Sequence, residues 1–401
     1  MGVPRFEPFP ALRYSPSESL DLVSAPPYDV ISEHDVDALL ARDPHNIVAI
    51  DVPRDIDGPG RYELAATRLQ EWVTSGVFVR DDRPSFTLYR MAFVDESGAP
   101  RETVGVIGAL EVVDEGAGGV LPHEQTTPKA KTDRLDLTIA TEANLSPVWG
   151  LSLAAGLTDL LREPGEALGS CVDETGVTHT VERVDEPTRV TAIAAAVSAE
   201  PVVIADGHHR YAISRTYRDQ RRAATGSHDT TAELTLTYVG ELVTEQLSVA
   251  AIHRLINGVT FEELRGALEH SFELTHAGRI DAAHARTVVE RGALCLVAPD
   301  GTGSLMTPRP DAFDGVRDLD SARLEHALRD LPAAELSYQH GVTNIVDAVA
   351  TGRAAAGVLL RPVSIAEIRR TADEGLLMPP KSTFFTPKLR TGLVIRPLRR
   401  G

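Results

Sequence analysis

The short apolar run Pro201–Ala205 passes without a linker, through Asp206 and Gly207, into a stretch of helical spacing that continues to Ala224. Val202-Val203-Ile204-Ala205 suits a buried strand, and a strand that feeds a helix at once commits the surrounding chain to layers of sheet and helix. Other segments repeat the alternation. Ser32, a favoured N-cap, opens a helix with Val36, Leu39 and Leu40 on one face. Asn46–Val52 predicts a strand and Tyr62–Val73 a helix. Ser85–Val94 and Thr103–Val113 predict two strands joined by the hairpin signal Asp95-Glu96-Ser97-Gly98. Pro147–Leu153 predicts a strand and Gly156–Arg162 a short helix; strands follow near Val172 and Val181, then a helix over Arg189–Ser198 and a strand over Glu233–Val243. A second alternation begins near Thr260, with helices over Phe261–His270 and Ser321–Arg329 and strands over Ala293–Ala298 and Gly357–Arg361. The expected class is mixed α/β (α+β), with strand order not legible.

The chain has 401 residues, which at roughly 100–200 residues per domain predicts two or three units. The division is expected near the Asn257-Gly258 turn: residues 1–255 as an N-terminal α/β region, 256–375 as a second α/β domain, and 376–401 as a basic segment returning to the active cleft. The net charge of −18, from 58 acidic and 40 basic residues, argues against coating nucleic acid or a membrane, which needs a positive footprint. Cys171 and Cys295 stand alone and far apart, so no disulfide framework or Cys-rich zinc site is expected. Met1–Pro16 carries four prolines and no apolar core of a signal peptide. The uncharged stretch Ala143–Thr158 is too short to span a bilayer and is broken by Asn144, Pro147 and Gly150. A cytoplasmic protein is expected, with homo-oligomerisation left open.

Four segments do not read as scaffold. In Pro26-Pro27-Tyr28-Asp29-Val30 the prolines place Tyr28 and Asp29 in a defined turn before a helix; a plain surface turn is the competing reading. His123-Glu124-Gln125-Thr126, continuing through Lys129, Lys131, Asp133 and Arg134, follows a Gly-rich loop at a strand end, where functional side chains often sit. Position 127 is Thr127, so the metalloprotease pattern H-E-x-x-H is not met. In Asp206-Gly207-His208-His209-Arg210 the opening helix presents N–H groups without intrahelical acceptors and the positive end of its dipole. Such a terminus receives anions, and Arg210 can grip phosphate oxygens in bidentate fashion. Helix capping by Asp206 and a His208/His209 metal site, as in a metal-dependent hydrolase, remain open beside that reading. Arg215 and Arg218 extend the positive flank. Finally, no acidic residue follows Glu374, whereas Lys381, Lys388, Arg390, Arg396, Arg399 and Arg400 do. In so acidic a chain that reversal fits a polyanion site built from Lys381, Ser382, Thr383 and Lys388. P-loop, Rossmann and nucleophile-elbow patterns are missing.

Together these segments resemble a bacterial and archaeal family catalogued as domain of unknown function one thousand and fifteen. The resemblance is carried by Pro27-Tyr28-Asp29-Val30, by His123-Glu124 with Thr126, Lys131 and Asp133-Arg134, by Ala205–Ala212, and by Met378–Thr383 with Pro387-Lys388 and Gly392. The turn at Asp206, Gly207, His208 and Arg210 also resembles the Asp-Gly-His-x-Arg phosphate turn of free-serine kinases in the ParB/sulfiredoxin-like superfamily. That second resemblance implies a ParB/sulfiredoxin-like core and a nucleotide-dependent kinase of free L-serine or a similar hydroxylated metabolite. A nucleotide-controlled binding module is the alternative it allows. It further implies a glutamate base, for which Glu124 is the candidate, with His123 competing and Asp206 and His208 beside it. Phosphate contacts are expected from Gly207, His209, Arg210, Lys381, Ser382, Thr383 and Lys388, substrate contacts from Tyr28 and Asp29. Mg²⁺ with ATP or ADP is the expected cofactor, with Asp206 as metal ligand.

Overall fold

The computed structural model describes residues 2–54, 60–95, 98–123, 131–379 and 381–399. They form two compact units. One runs up to Ser248 and adds Ala372–Gly375 and the stretch from Pro387 onward; the other comprises Val249–Thr371 and Leu376–Thr386.

Among the described residues of the first unit, nine strands make one mixed sheet. They are β1 (Phe6–Glu7), β2 (Phe86–Val94), β3 (Pro100–Glu111), β4 (Val120–Pro122), β5 (Val148–Ser152), β6 (Glu166–Val172), β7 (Thr178–Val184), β8 (Val202–Asp206) and β9 (Leu234–Glu241). Their order is β4-β8-β5-β9-β3-β2-β7-β6, with β1 on β3. β8 runs parallel to β4 and β9 parallel to β5, while the remaining neighbours are antiparallel. The helices are α1 (Glu33–Arg42), α2 (Val48–Asp51), α3 (Arg61–Ser75), α4 (Lys131–Thr141), α5 (Leu157–Arg162), α6 (Pro187–Val197) and α7 (His208–Thr225). Phe86 and Leu88 of β2, Val104 and Val106 of β3, and Val202 and Ile204 of β8 alternate onto one face of the sheet. Leu157 and Leu161 of α5 and Ile193 and Val197 of α6, each pair spaced i,i+4, cover that face. A separate core gathers Val36 and Leu39 of α1, all of α2 but Asp51, Ala65, Leu69 and Trp72 of α3, and Leu137 of α4 around Tyr14 and Phe78.

Two expectations are corrected here. Asn46–Val52 is not a strand: Val48–Asp51 forms one helical turn, buried at every position. Asn46 produces it by accepting from the Val48 N–H while its own amide donates to the Leu22 and Ser24 carbonyls. A short fully buried apolar run carries no periodicity that separates strand from helix. Lys131, Asp133 and Arg134 stand on α4 rather than in a polar loop.

The basic stretch has structural work in this unit. Thr391 bridges to Ala25, Ile395 to Leu12, and Arg396–Pro397 pairs with Ala143–Asn144. Arg390 is buried, donating to the Ser24 hydroxyl at 2.9 Å and the Ser24 carbonyl at 3.0 Å, and it pairs with Glu174 at 3.3 Å. Arg396 donates to the carbonyls of Leu234 and Thr231; burial pulls its pKa down to about 10. Arg399 pairs with Glu142.

The second unit holds an antiparallel sheet of β10 (Ile252–Asn257), β11 (Phe272–Arg279), β12 (Leu294–Val297), β13 (Thr302–Pro308), β14 (Glu335–His340) and β15 (Ala356–Leu359), in the order β11-β13-β12-β15-β10-β14. Its helices include α8 (Phe261–Ser271), α9 (His284–Arg291), α10 (Asp320–Ala327) and α11 (Val342–Ala350). Leu294, Leu296 and Val358 face α8 and α10, whereas Cys295, Val297 and Leu359 face α9 and α11. Burial on both faces is why β12 and β15 read as unbroken apolar runs. No described helix is long and apolar enough to cross a membrane, and both cysteines are buried free thiols.

Candidate active site

β8 ends at Asp206, and α7 begins at His208 with Gly207 between them in the left-handed region, at φ +82 and ψ 28. Gly207 is required twice over. Its φ favours glycine, and a Cβ there would stand 2.9 Å from Arg210 Nε and 3.0 Å from its Cζ. The guanidinium therefore lies against the turn itself. Arg210 Nη2 donates to Asp206 Oδ2 at 3.2 Å, and Nη1 donates to the Pro147 carbonyl. Lys388 Nζ reaches the same Asp206 Oδ2 at 3.2 Å. Burial alone would raise the Asp206 pKa, but Lys388 and Arg210 outweigh it and hold the carboxyl at about 2. The carboxylate stays ionised and pins both cations beside the open end of α7.

His123, at the end of β4, is fully buried and bonded through Nδ1 to the Ile204 carbonyl. A carbonyl only accepts, so that bond assigns the proton to Nδ1 and leaves Nε2 as the basic nitrogen. Burial pushes the His123 pKa down to about 4, so the ring is neutral at pH 7. The His208 ring lies 4.9 Å from it, centroid to centroid; His208 is buried and His209 half-buried.

Beneath the turn lies a cavity of about 50 Å³ whose walls include Tyr28, Asp51, Arg134, Ser146, Arg210 and Ser214. Arg134 projects from α4. Its Nη1 donates to the Asp51 carbonyl and, at 3.2 Å, to Asp51 Oδ1. Its Nε donates to Asp133 Oδ2 at 3.1 Å. Its guanidinium sits 4.1 Å from the centre of the Tyr28 ring, within cation–π range. Asp133 is steadied by the Tyr62 hydroxyl at 2.8 Å and by Arg61 at 3.1 Å. Burial lifts the Asp51 carboxyl above its ordinary pKa, against the pull of Arg134 and Arg210.

The first unit thus brings Tyr28, Asp206, Gly207, Arg210 and Lys388 together, with His123 and His208 adjoining. Asp29 is exposed beside Tyr28. Glu124 lies outside the described residues. Lys381, Ser382 and Thr383 belong to the second unit. There Lys381 is exposed and accepts on its carbonyl from Arg254 at 3.3 Å, and Ser382 donates to the Pro379 carbonyl at 2.7 Å. The positive flank expected along α7 is neutralised internally: Arg218 is buried against the Val112 carbonyl, Asp114 and Asp219, and Arg215 pairs with Glu115. Asp51, Ser146 and Ser214 escaped the reading of the sequence, and Arg134 stood in a singled-out segment without a role. An aspartate ending an apolar run gives no local sign of a cavity. No group of three or more His, Cys, Asp or Glu among the described residues is placed to hold a metal.

Solved structures similar to the chain are distant. A free serine kinase in complex with AMP is 14% identical, with a TM-score of 0.36 over 67% of this chain and 83% of that one. SbnI with a C-terminal truncation, from Staphylococcus aureus, is 14% identical, with a TM-score of 0.35 over 73% and 87%. A conserved hypothetical protein from Pyrococcus furiosus is 12% identical, with a TM-score of 0.36 over 67% and 87%. No curated protein matches the chain. The family described as protein of unknown function (DUF1015) matches residues 6–322, and the chain belongs to that family.

Proposed function

We propose that the protein is a nucleotide-dependent phosphotransferase whose acceptor is the hydroxyl of a small metabolite, with free L-serine the leading candidate. The observation that carries this reading is the clamp at Asp206. Two cations and a helix N-terminus converge there on a single carboxylate. The local excess of positive charge is what a phosphate needs in a chain of net −18. Because Asp206 fixes Arg210 and Lys388 in advance, little reorganisation accompanies the build-up of charge on the transferred group. The resemblance of the Asp206–Arg210 turn to that of ParB/sulfiredoxin-like serine kinases supports the same reading.

In the transfer, the acceptor oxygen bonds to the terminal phosphorus, the bridging P–O bond to the nucleotide breaks, and the hydroxyl proton passes to a base. Glu124 is the base we assign; His123, neutral at pH 7 with Nε2 as its basic nitrogen, is its competitor. Asp206 does not fit as a protein ligand of Mg²⁺. One of its oxygens already faces Lys388 and Arg210 at 3.2 Å each, and a divalent ion would add a third cation to that group.

The test is incubation with Mg²⁺, ATP, ADP or pyrophosphate and a pool of hydroxylated metabolites, read by mass spectrometry. A phosphorylated product that requires the donor supports the reading. Nucleotide turnover with no acceptor added overturns it in favour of a nucleotide-controlled binding module. Glu124→Gln should keep nucleotide affinity and lower turnover by about 10²–10⁴; full turnover would send the role to His123, to Asp29 or to no residue at all.

A further inference from the structure

We infer that Asp51 selects an acceptor that carries an ammonium group, with Arg134 and Tyr28 as the residues that position it; the identity of the occupant as acceptor rests on the phosphotransferase reading. The Asp51 side chain is 4% exposed, and it lines the same cavity as Arg210. Arg134 fixes it from two sides, through the Asp51 carbonyl and Oδ1, and is itself held by Asp133 and by the face of Tyr28. Oδ2 takes no hydrogen bond from the described residues, and this nine-tenths buried carboxylate lines a small, mainly apolar cavity. Such an oxygen is costly to bury unless something donates to it.

The neighbouring charges decide what donates. In the free protein, Arg134 and Arg210 both favour the ionised form of Asp51. A bound polyphosphate draws the field of Arg210 to itself, and Asp51 then keeps one cationic neighbour instead of two. An ammonium group restores the second through a charge-assisted hydrogen bond, which a neutral hydroxyl does not. Ser146 lines the same cavity and offers a polar contact to the rest of a small molecule of this kind, whereas the Ser214 hydroxyl is engaged by the Arg210 carbonyl and Thr235.

Calorimetric titration of the full chain, with and without ADP, should compare L-serine and ethanolamine with L-glycerate and ethylene glycol, which keep a hydroxyl and lack the ammonium. The ammonium-bearing pair should bind about tenfold or more tightly than their counterparts. Asp51→Asn should abolish that preference in a folded protein that still binds ADP. Equal binding of both pairs by the native protein overturns the inference without need of a variant, as does failure of both ammonium compounds to bind, or an undiminished preference in a folded Asp51→Asn. Binding of L-serine with no phosphorylated product under any donor would sink the phosphotransferase reading and leave Asp51 standing. Phosphorylation of L-glycerate as readily as L-serine would do the reverse.

Discussion

Each unit carries a cleft walled by arginines and carboxylates, and the two differ in what their charges leave over. The cleft of the second unit, about 540 Å³, is far larger than the cavity of about 50 Å³ beneath Gly207. Yet its carboxylates are satisfied: Asp320 gives both oxygens to Arg361, and Glu367 gives one to Arg317 and the other to Arg370. In the first unit, Asp51 has one oxygen that takes no hydrogen bond from the described residues, and two cations crowd one oxygen of Asp206 at a helix terminus. Volume and formal charge therefore do not mark a site by themselves. Unmatched hydrogen-bonding capacity and unmatched charge do, because a ligand gains only from groups the protein has not already satisfied.

The sharpest way to break that contrast is at its two arginines. Arg210→Ala should weaken nucleotide or phosphate binding by about 1.5–3 kcal/mol, the range for hydrogen bonds to charged groups, or roughly 10- to 150-fold by calorimetry. Unchanged affinity in a folded protein would remove Arg210 from the site. Arg361→Ala should leave nucleotide affinity untouched and lower stability by about 1–3 kcal/mol in denaturant unfolding, since it strands the buried Asp320. A loss of nucleotide binding there would show that the larger cleft holds ligand after all.

The smallest effect is expected at Lys388; it is present at neutral pH and fades in acid. Asp206 is depressed to about 2 in the folded protein, against about 3.9 unfolded. Its contribution to stability is therefore present above pH 4 and lost as pH falls toward 2. Lys388→Met removes the larger of the two cationic influences on it. Asp206 should then titrate at higher pH: the variant loses part of this contribution at pH 7, and the acid-unfolding midpoint, followed by circular dichroism, should move upward. An unmoved midpoint would mean that Arg210 alone holds Asp206 ionised.

Local chemistry made a good part of this molecule readable. Ser32 predicts the start of α1, and its hydroxyl and Asp35 form a capping box there. Asp95 and Gly98 predict the hairpin between β2 and β3, and the Asp95 side chain accepts from the Ala99 N–H at 3.1 Å. Val202–Ala205 followed by Gly207 predicts β8, a sharp turn and α7. These features are set by residues within a few positions of one another. The helical turn at Val48–Asp51 was misread because Asn46 makes its deciding bonds to Leu22 and Ser24, more than twenty residues away.

The same division runs through the candidate site. By itself the sequence determined a strand, a sharp turn at a glycine, and a helix whose first residues include an arginine, since turn and helix-end chemistry are local. It also showed a reversal of charge after Glu374, but not its meaning. Only the tertiary structure separated Lys388, which sits on Asp206, from Arg390, Arg396 and Arg399, which bind carbonyls, a hydroxyl and carboxylates of the scaffold. Only it brought Asp51 from α2, Arg134 from α4 and Tyr28 to one cavity with Arg210. A residue's charge is written in the chain, but whether that charge is matched depends on partners that folding carries in from distant segments, and it is the match that separates scaffold from site.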